Sequence, residues 1–298
     1  MLNRRRFVQA AAAAGVGALL PAAGAAAAPF RLHYAPHEGL FEHSAGASVV
    51  DQIDFAADAG FTAWEDNDMR GRPLAEQEAI AAALERRGMR MGVFVAADIA
   101  WHEPGITRGD EASRAKFLAD IRGSVEVARR VHATWMTVVP DHVAPRLRPH
   151  YQMANVVETL KRAAALLEPH GLVMVLEPLN FYDHPGMFLT EIPQAYMICK
   201  AVDSPACKIL FDIYHQQITE GNIIPNIDAA WDEIAYFQVG DVPGRNEPTT
   251  GEINYRRIFA HIHAKGFDGV LGLEHGKSGE GIAGEQALID AYRTVDAF

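Results

Sequence analysis

A chain of 298 residues with 27 Lys and Arg against 38 Asp and Glu carries a formal charge of −11, a poor basis for holding nucleic acid or an anionic membrane surface. The length suits one large α/β barrel or two ordinary domains, and no Ser/Gly-rich linker or compositional break after residue 30 divides it, so one domain is preferred. Two cysteines, Cys199 and Cys207, form no disulfide framework and are read as buried thiols, with a single bridge as the alternative.

The chain opens with Asn3-Arg4-Arg5-Arg6-Phe7-Val8, an alanine-rich apolar run from Ala10 to Leu20, Pro21, and small residues through Ala28. A charged start, a short apolar stretch and an A-x-A site make a secretory signal, and the consecutive arginines before Phe resemble the twin-arginine kind. The apolar stretch is too short for a membrane span of about 20 residues. Residues 1–28 are therefore expected to be a cleaved label directing export to the periplasm or beyond. They hold three arginines and no acid, so residues 29–298 carry −14.

From Phe30 onward short apolar runs alternate with amphipathic stretches, the pattern of repeated βα units. The predicted strands are Phe30–Tyr34, Thr62–Glu65, Arg90–Val95, Trp135–Val139, Leu172–Glu177, Lys208–Asp212, Ala235–Val239 and Gly269–Glu274. The predicted helices are Ser48–Ala59, Leu74–Arg87, Ser113–Val131, Tyr151–His170, Ile192–Val202, a shorter piece near Ile227–Glu233, Tyr255–Lys265 and a last one from Glu280. Gly60, Gly88, Gly171 and Gly266 stand where helix ends need a left-handed residue. Eight strands alternating with eight helices predict a single (β/α)8 barrel over residues 29–298, with a doubly wound sheet as the fallback. Loops after strands are unequal, the long ones following the third, fourth, fifth and seventh, while loops before strands are short, as a one-sided active face requires.

Among these strands, those ending on Glu177, Asp212 and Glu274 are read together as finishing on a carboxylate, with the one that carries a single amide, Gln238, near its end. In a parallel barrel all four oxygens converge on one rim. Desolvating a carboxylate is costly without a partner, so something cationic belongs among them. Each could instead form a separate salt bridge or cap the next helix. Oxygen donors alone suit a hard divalent ion, Mn²⁺ or Mg²⁺, and argue against structural zinc. Beside them, His215 in a loop after Asp212 can hydrogen-bond a substrate oxygen. Arg245 suits a carboxylate or enediolate oxygen, or else pairs with Asp241 or Glu247. Asp183, with Asn180, either binds substrate hydroxyls or ties down its loop.

The strings LEPLN at 176–180, FDIYHQQ at 211–217, DVPGRNEPTTGEINY at 241–255 and GLEH at 272–275 resemble the hydroxypyruvate isomerase branch of the xylose-isomerase-like sugar isomerase/epimerase barrels. The likeness is specific from Leu172 to His275 and only a repeat pattern before that. It implies a metal held by Glu177, Asp212, Gln238 and Glu274, with the two glutamates also forming the acid/base pair. Ketose 3-epimerases of that superfamily usually carry His where Gln238 stands, which favours the isomerase branch. The implied activity is metal-dependent isomerisation of an α-hydroxy ketone through an enediolate, as in hydroxypyruvate to tartronate semialdehyde. A ketose or keto-sugar isomerase or epimerase is the alternative. An exported, non-catalytic sugar-binding barrel is the reading from another class. The expected partner is a small molecule, a hydroxy-keto acid or keto-sugar, and the oligomeric state is left open.

Overall fold

A computed structural model describes residues 27–298. The eight strands are β1 (His33–Ala35), β2 (Ala63–Trp64), β3 (Arg90–Met91), β4 (Trp135–Val138), β5 (Val173–Leu176), β6 (Cys207–Asp212), β7 (Ile234–Gln238) and β8 (Val270–Gly272). Six pair in parallel in the order β1-β8-β7-β6-β5-β4, and β2 pairs with β3 in a second parallel sheet. A few isolated backbone bonds join the two into a ring. Glu65 N–H donates to Pro36 O (2.9 Å) on one side, and Thr137 N–H donates to Phe94 O (2.8 Å) on the other. The chain is thus a (β/α)8 barrel, with β2 and β3 shorter than expected because they meet their neighbours through isolated bonds.

The pleat decides what faces inward, since alternate residues of a strand share a face. Ala35, Ala63, Val93, Val175, Leu210, Tyr236 and Val270 form a small cluster filling the lumen. Met174, Leu176, Ile209, Phe211, Phe237 and Leu271 point outward into the larger core beneath the helices. Counting in twos from the lumen residues puts Glu65, Glu177, Asp212, Gln238 and Glu274 on the inner face at the C-terminal end. The register agrees across three strands, with Asp212 opposite Gln238 and Gln238 opposite Gly272.

Outside lie α1 (Glu42–Ala45), α2 (Val49–Asp58), α3 (Leu74–Arg87), α4 (Glu111–Val131), α5 (Pro149–Leu167), α6 (Ile192–Val202), α7 (Ile213–Thr219), α8 (Ile223–Ala230), α9 (Tyr255–Ala264) and α10 (Gly281–Asp296). Gly60, Gly88, Gly171 and Gly266 all have positive φ, as the sequence reading expects. Two departures matter. The segment following Asp212 is helix, not loop, so His215 stands in the first turn of α7. The piece predicted at Ile227–Glu233 begins earlier, as α8, and ends in a 3₁₀ turn at Trp231–Glu233. Cys199 and Cys207 are buried free thiols. No helix among the described residues is long and apolar enough to cross a membrane. The expected export label, apart from Ala27 and Ala28, lies outside the described residues.

Candidate active site

Asp212 divides its work between its two oxygens. Oδ1 caps α7, accepting from Tyr214 N–H (2.7 Å) and His215 N–H (3.4 Å). Oδ2 faces the barrel mouth, 3.3 Å from Arg245 Nη2 and 3.5 Å from His215 Nε2. The helix-capping alternative holds for Oδ1, and Oδ2 is left facing the barrel mouth.

His215 is buried, and its tautomer follows from its neighbours. Asn180 Oδ1 is taken by the backbone N–H groups of Tyr182 and Asp183 (3.0 Å each), which turns the Asn180 amide NH₂ toward the ring. Asn180 Nδ2 donates to His215 Nδ1 at 2.7 Å, and Asn180 N–H donates to the same atom at 3.3 Å. With Nδ1 accepting, the neutral ring carries its proton on Nε2, which lies 3.7 Å from Glu177 Oε1. Burial lowers the His215 pKa to about 4, so the ring offers a neutral N–H donor. Asp183 stands behind this arrangement. It is exposed, and its carboxylate accepts from Asn180 Nδ2 (2.9 Å) and the Tyr214 hydroxyl (2.8 Å), tying down the loop that orients His215.

Arg245 supplies the cation that the strand-end acids demand. Its Nη2 lies 3.0 Å from Glu274 Oε2 as well as 3.3 Å from Asp212 Oδ2, and its guanidinium stacks on the Tyr214 ring at 4.8 Å. It does not pair with Asp241 or Glu247. Those two are buried loop anchors. Asp241 accepts from the N–H groups of Val242 (2.9 Å), Gly251 (2.9 Å) and Ile253 (3.1 Å), while Glu247 accepts from Ser278 N–H (2.9 Å). The long loop motif therefore serves mainly to hold Arg245, at φ 50°, over the site.

One residue of the inner rim escapes the sequence reading: Glu65, just past the end of β2. It is fully enclosed, and its carboxylate accepts from the Tyr236 hydroxyl (2.7 Å) and from Gln238 Nε2 (2.9 Å). The signal was the same as for the other strand-end acids, an apolar run closing on a carboxylate, here followed by a second acid, Asp66.

One guanidinium among Glu177, Asp212 and Glu274, with Glu65 also on the inner face, leaves the site over-supplied with negative charge. Burial, then the neighbouring acids, push Glu177 well above the carboxylate range. Burial pushes Glu274 to about 7, against the opposing pull of Arg245, and burial with the Glu274 charge pushes Glu65 to about 8. The same carboxylates outweigh burial at Arg245 and raise its pKa.

A divalent ion fits this donor set. Glu177, Asp212 and His215 each bring a ligand-type atom within 4.8 Å of the others, although the proton on His215 Nε2 makes that ring a donor and not a ligand. Gln238 Oε1 is buried on the inner face with no hydrogen-bond partner, an oxygen in want of a cation. Glu177, Asp212, Gln238 and Glu274 are thus the oxygens that could hold the ion, and their hard donors suit Mg²⁺ or Mn²⁺.

The raised carboxyls give a pH dependence with a definite sign. Glu65, Glu177 and Glu274 keep their protons when folded at pH values where the unfolded chain, with a glutamate pKa of 4.5, has lost them. Stability of the metal-free protein should therefore fall as pH rises from about 4.5 through about 8. Added Mn²⁺ should stabilise more at pH 8 than at pH 6, because the ligands must shed their protons. Melting curves with and without chelator across that range check it; a metal-free protein that gains stability toward pH 8 would contradict it.

Residues 53–294 match the family described as "Xylose isomerase-like TIM barrel". The chain belongs to that family. Among curated relatives of this xylose isomerase-like barrel, it is 32% identical to a 2-oxo-tetronate isomerase from Cupriavidus necator over 237 residues, 76% of this chain and 87% of that one. It is 38% identical to the hydroxypyruvate isomerase of Escherichia coli over 122 residues, 41% of this chain and 47% of that protein. A solved structure described as an AP endonuclease, family 2, from Brucella melitensis superposes with a TM-score of 0.75 at 24% identity, covering 85% of this chain and 96% of that one, a likeness of fold alone. The family resemblance carried by the sequence strings holds, and this xylose isomerase-like protein is an enzyme.

Proposed function

We propose that this enzyme is a metal-dependent isomerase of an α-hydroxy ketone, acting through an enediolate in the manner of hydroxypyruvate isomerase. The observation that carries the proposal is the gathering of Glu177, Asp212, Glu274 and the unpartnered Gln238 oxygen on one inner rim, with an N–H donor and a guanidinium beside them. The named relatives support isomerase chemistry on a keto acid.

Held by Glu177, Asp212, Gln238 and Glu274, a divalent ion would supply Lewis-acid polarisation of the substrate carbonyl. His215 Nε2–H donates a hydrogen bond to a substrate oxygen as negative charge grows there, and its low pKa keeps it from losing the site to protonation near neutrality. Arg245 neutralises charge from the loop side and offers its guanidinium edge to an anionic oxygen. One of Glu177 and Glu274 takes the proton from the hydroxyl-bearing carbon, the other returns a proton to the carbonyl carbon, and the hydroxyl proton passes to the former carbonyl oxygen. In epimerisation the proton returns instead to the opposite face of the carbon that lost it. The loop after β5, held by Asp183, limits the access of water to His215.

The decisive experiment is solvent-deuterium incorporation with hydroxypyruvate, 2-oxo-tetronate, ketoses and keto-sugars, since enolisation labels a substrate whatever its product. Incorporation dependent on Mn²⁺ or Mg²⁺ is expected. Metal-loaded protein that labels no member of the panel overturns the reading.

A second reading, a ketose or keto-sugar substrate, is favoured by a groove of about 670 Å³ beside the site, bordered by Asn67, Arg72 and Trp101. Asn67 Nδ2 donates to Glu274 Oε1 at 3.5 Å, and the partly exposed Trp101 stacks on His184 at 5.2 Å, which in turn packs edge-on to His215. A three-carbon acid leaves most of that groove unfilled. On this reading Trp101→Ala lowers kcat/KM for the longer substrates and leaves hydroxypyruvate unaffected.

We also propose export of the folded enzyme, on the strength of Arg4, Arg5, Phe7 and the A-x-A stretch. Replacing Arg4 and Arg5 by Lys is expected to retain the protein in the cytoplasm, as cell fractionation would read. Unchanged export of that variant would rule out a twin-arginine label.

A further inference from the structure

We propose that Glu65 is a positioning residue for ion binding: reaching across the lumen over Gly272, its carboxylate takes the Gln238 amide N–H and so turns the amide oxygen into the site. This rests on the metal reading above. It concerns a residue outside the four oxygen ligands.

Three observations fix the arrangement. The first is direction. Gln238 has one amide, with a donor end and an acceptor end, and only the acceptor end can face a cation. Glu65 Oε1 accepts from Gln238 Nε2 at 2.9 Å, leaving Gln238 Oε1 buried, unpartnered and on the inner face. A flipped amide would set oxygen against carboxylate and NH₂ toward the ion, unfavourable at both ends.

The second is that Glu65 is itself held. The Tyr236 hydroxyl accepts from Val93 N–H (3.3 Å), so its own proton is directed to Glu65 Oε2 at 2.7 Å. When Glu65 is ionised, as a cation in the site favours, both carboxylate oxygens are met by donors, and the side chain has no second orientation that satisfies them. The third is space. Glu65 comes from β2 while Gln238 lies on β7, with β1 and β8 between them in the ring. Gly272 on β8 lies opposite Gln238, and a methyl group there would overlap the Glu65 carboxylate. The glycine in GVLGLE makes the crossing possible. Outer partners that orient metal ligands commonly change affinity by about 10- to 100-fold when removed.

The test is Mn²⁺ binding by calorimetry, with thermal unfolding measured on each variant. Glu65→Gln puts a donor where two donors already converge, and it is expected to bind Mn²⁺ about 10- to 100-fold more weakly than wild type. Should Glu65→Gln not fold, Glu65→Asp, too short by one methylene to reach Gln238, carries the same expectation. Tyr236→Phe removes the other hydrogen bond of Glu65 but keeps its contact with Gln238. It should melt lower while losing less Mn²⁺ affinity than Glu65→Gln, a split that a merely structural role would not produce. The exchange Glu65→Gln with Gln238→Glu restores a donor facing an acceptor and leaves an oxygen toward the ion, so it should recover most of the lost affinity. Equal affinity in wild type and Glu65→Gln, or equal losses in Glu65→Gln and Tyr236→Phe, overturns the positioning role alone. A wild-type protein that takes up no Mn²⁺ overturns the metal reading, and this proposal with it.

Discussion

With the site saturated by excess Mn²⁺, Glu177→Gln and Glu274→Gln are expected to remain nearly inactive, losing about 10²- to 10⁴-fold in turnover, while Asp212→Asn recovers in part. Glutamine keeps an oxygen ligand but cannot take a proton. The two glutamates arrive from strands separated in the ring by β6 and β7, so their carboxyls can address a bound substrate from different sides. Their surroundings also differ. Glu177 faces the His215 N–H, whereas Glu274 faces Arg245 and the Asn67 amide. Asparagine at 212 can still cap α7 and still offers an oxygen, hence the partial recovery. Turnover and bound metal measured together decide the matter. If both glutamine variants regain wild-type turnover at full occupancy, the glutamates are only ligands and His215 becomes the candidate proton carrier.

Arg245→Met is expected to lower kcat/KM by about 10²- to 10³-fold, the usual cost of losing a donor aimed at developing negative charge. Its effect on metal affinity should run the other way. Arg245 Nη2 rests against Asp212 Oδ2 and Glu274 Oε2, the oxygens an ion would use, and methionine removes that competitor while keeping an apolar stem over Tyr214. Weaker turnover with equal or tighter Mn²⁺ binding marks a substrate-directed arginine. Weaker binding together with weaker turnover would mean that Arg245 only supports the ligands. Lysine should not rescue turnover, since it lacks the planar fork.

The barrel and most of its rim were legible because period-2 apolar runs and turn glycines are local signals. Glu177, Asp212, Gln238 and Glu274 were legible for the same reason, each at or near the end of such a run. What escaped depends on contacts across the ring. Glu65 closes an apolar run as the other acids do, but its reach to Gln238 depends on the space Gly272 leaves two strands away, a relation no local pattern carries. α7 was read as loop because seven residues with buried faces on several sides give no clear helical stripe. The side of the site that Arg245 serves was equally hidden, since two nearer acids, Asp241 and Glu247, offered local pairing but turned out to be held by backbone N–H groups.

The split duty of Asp212 bears on how such a barrel can diverge. One oxygen sets the first turn of α7, from which His215 projects, and the other belongs to the charge cluster, so position 212 couples backbone geometry to ligand chemistry. A substitution there shifts two active groups at once, and its effect depends on what occupies 215 and 245. Change at this corner of the site is therefore epistatic. The exposed groove around Trp101 carries no such coupling, whereas contacts tie positions 212, 215 and 245 to one another.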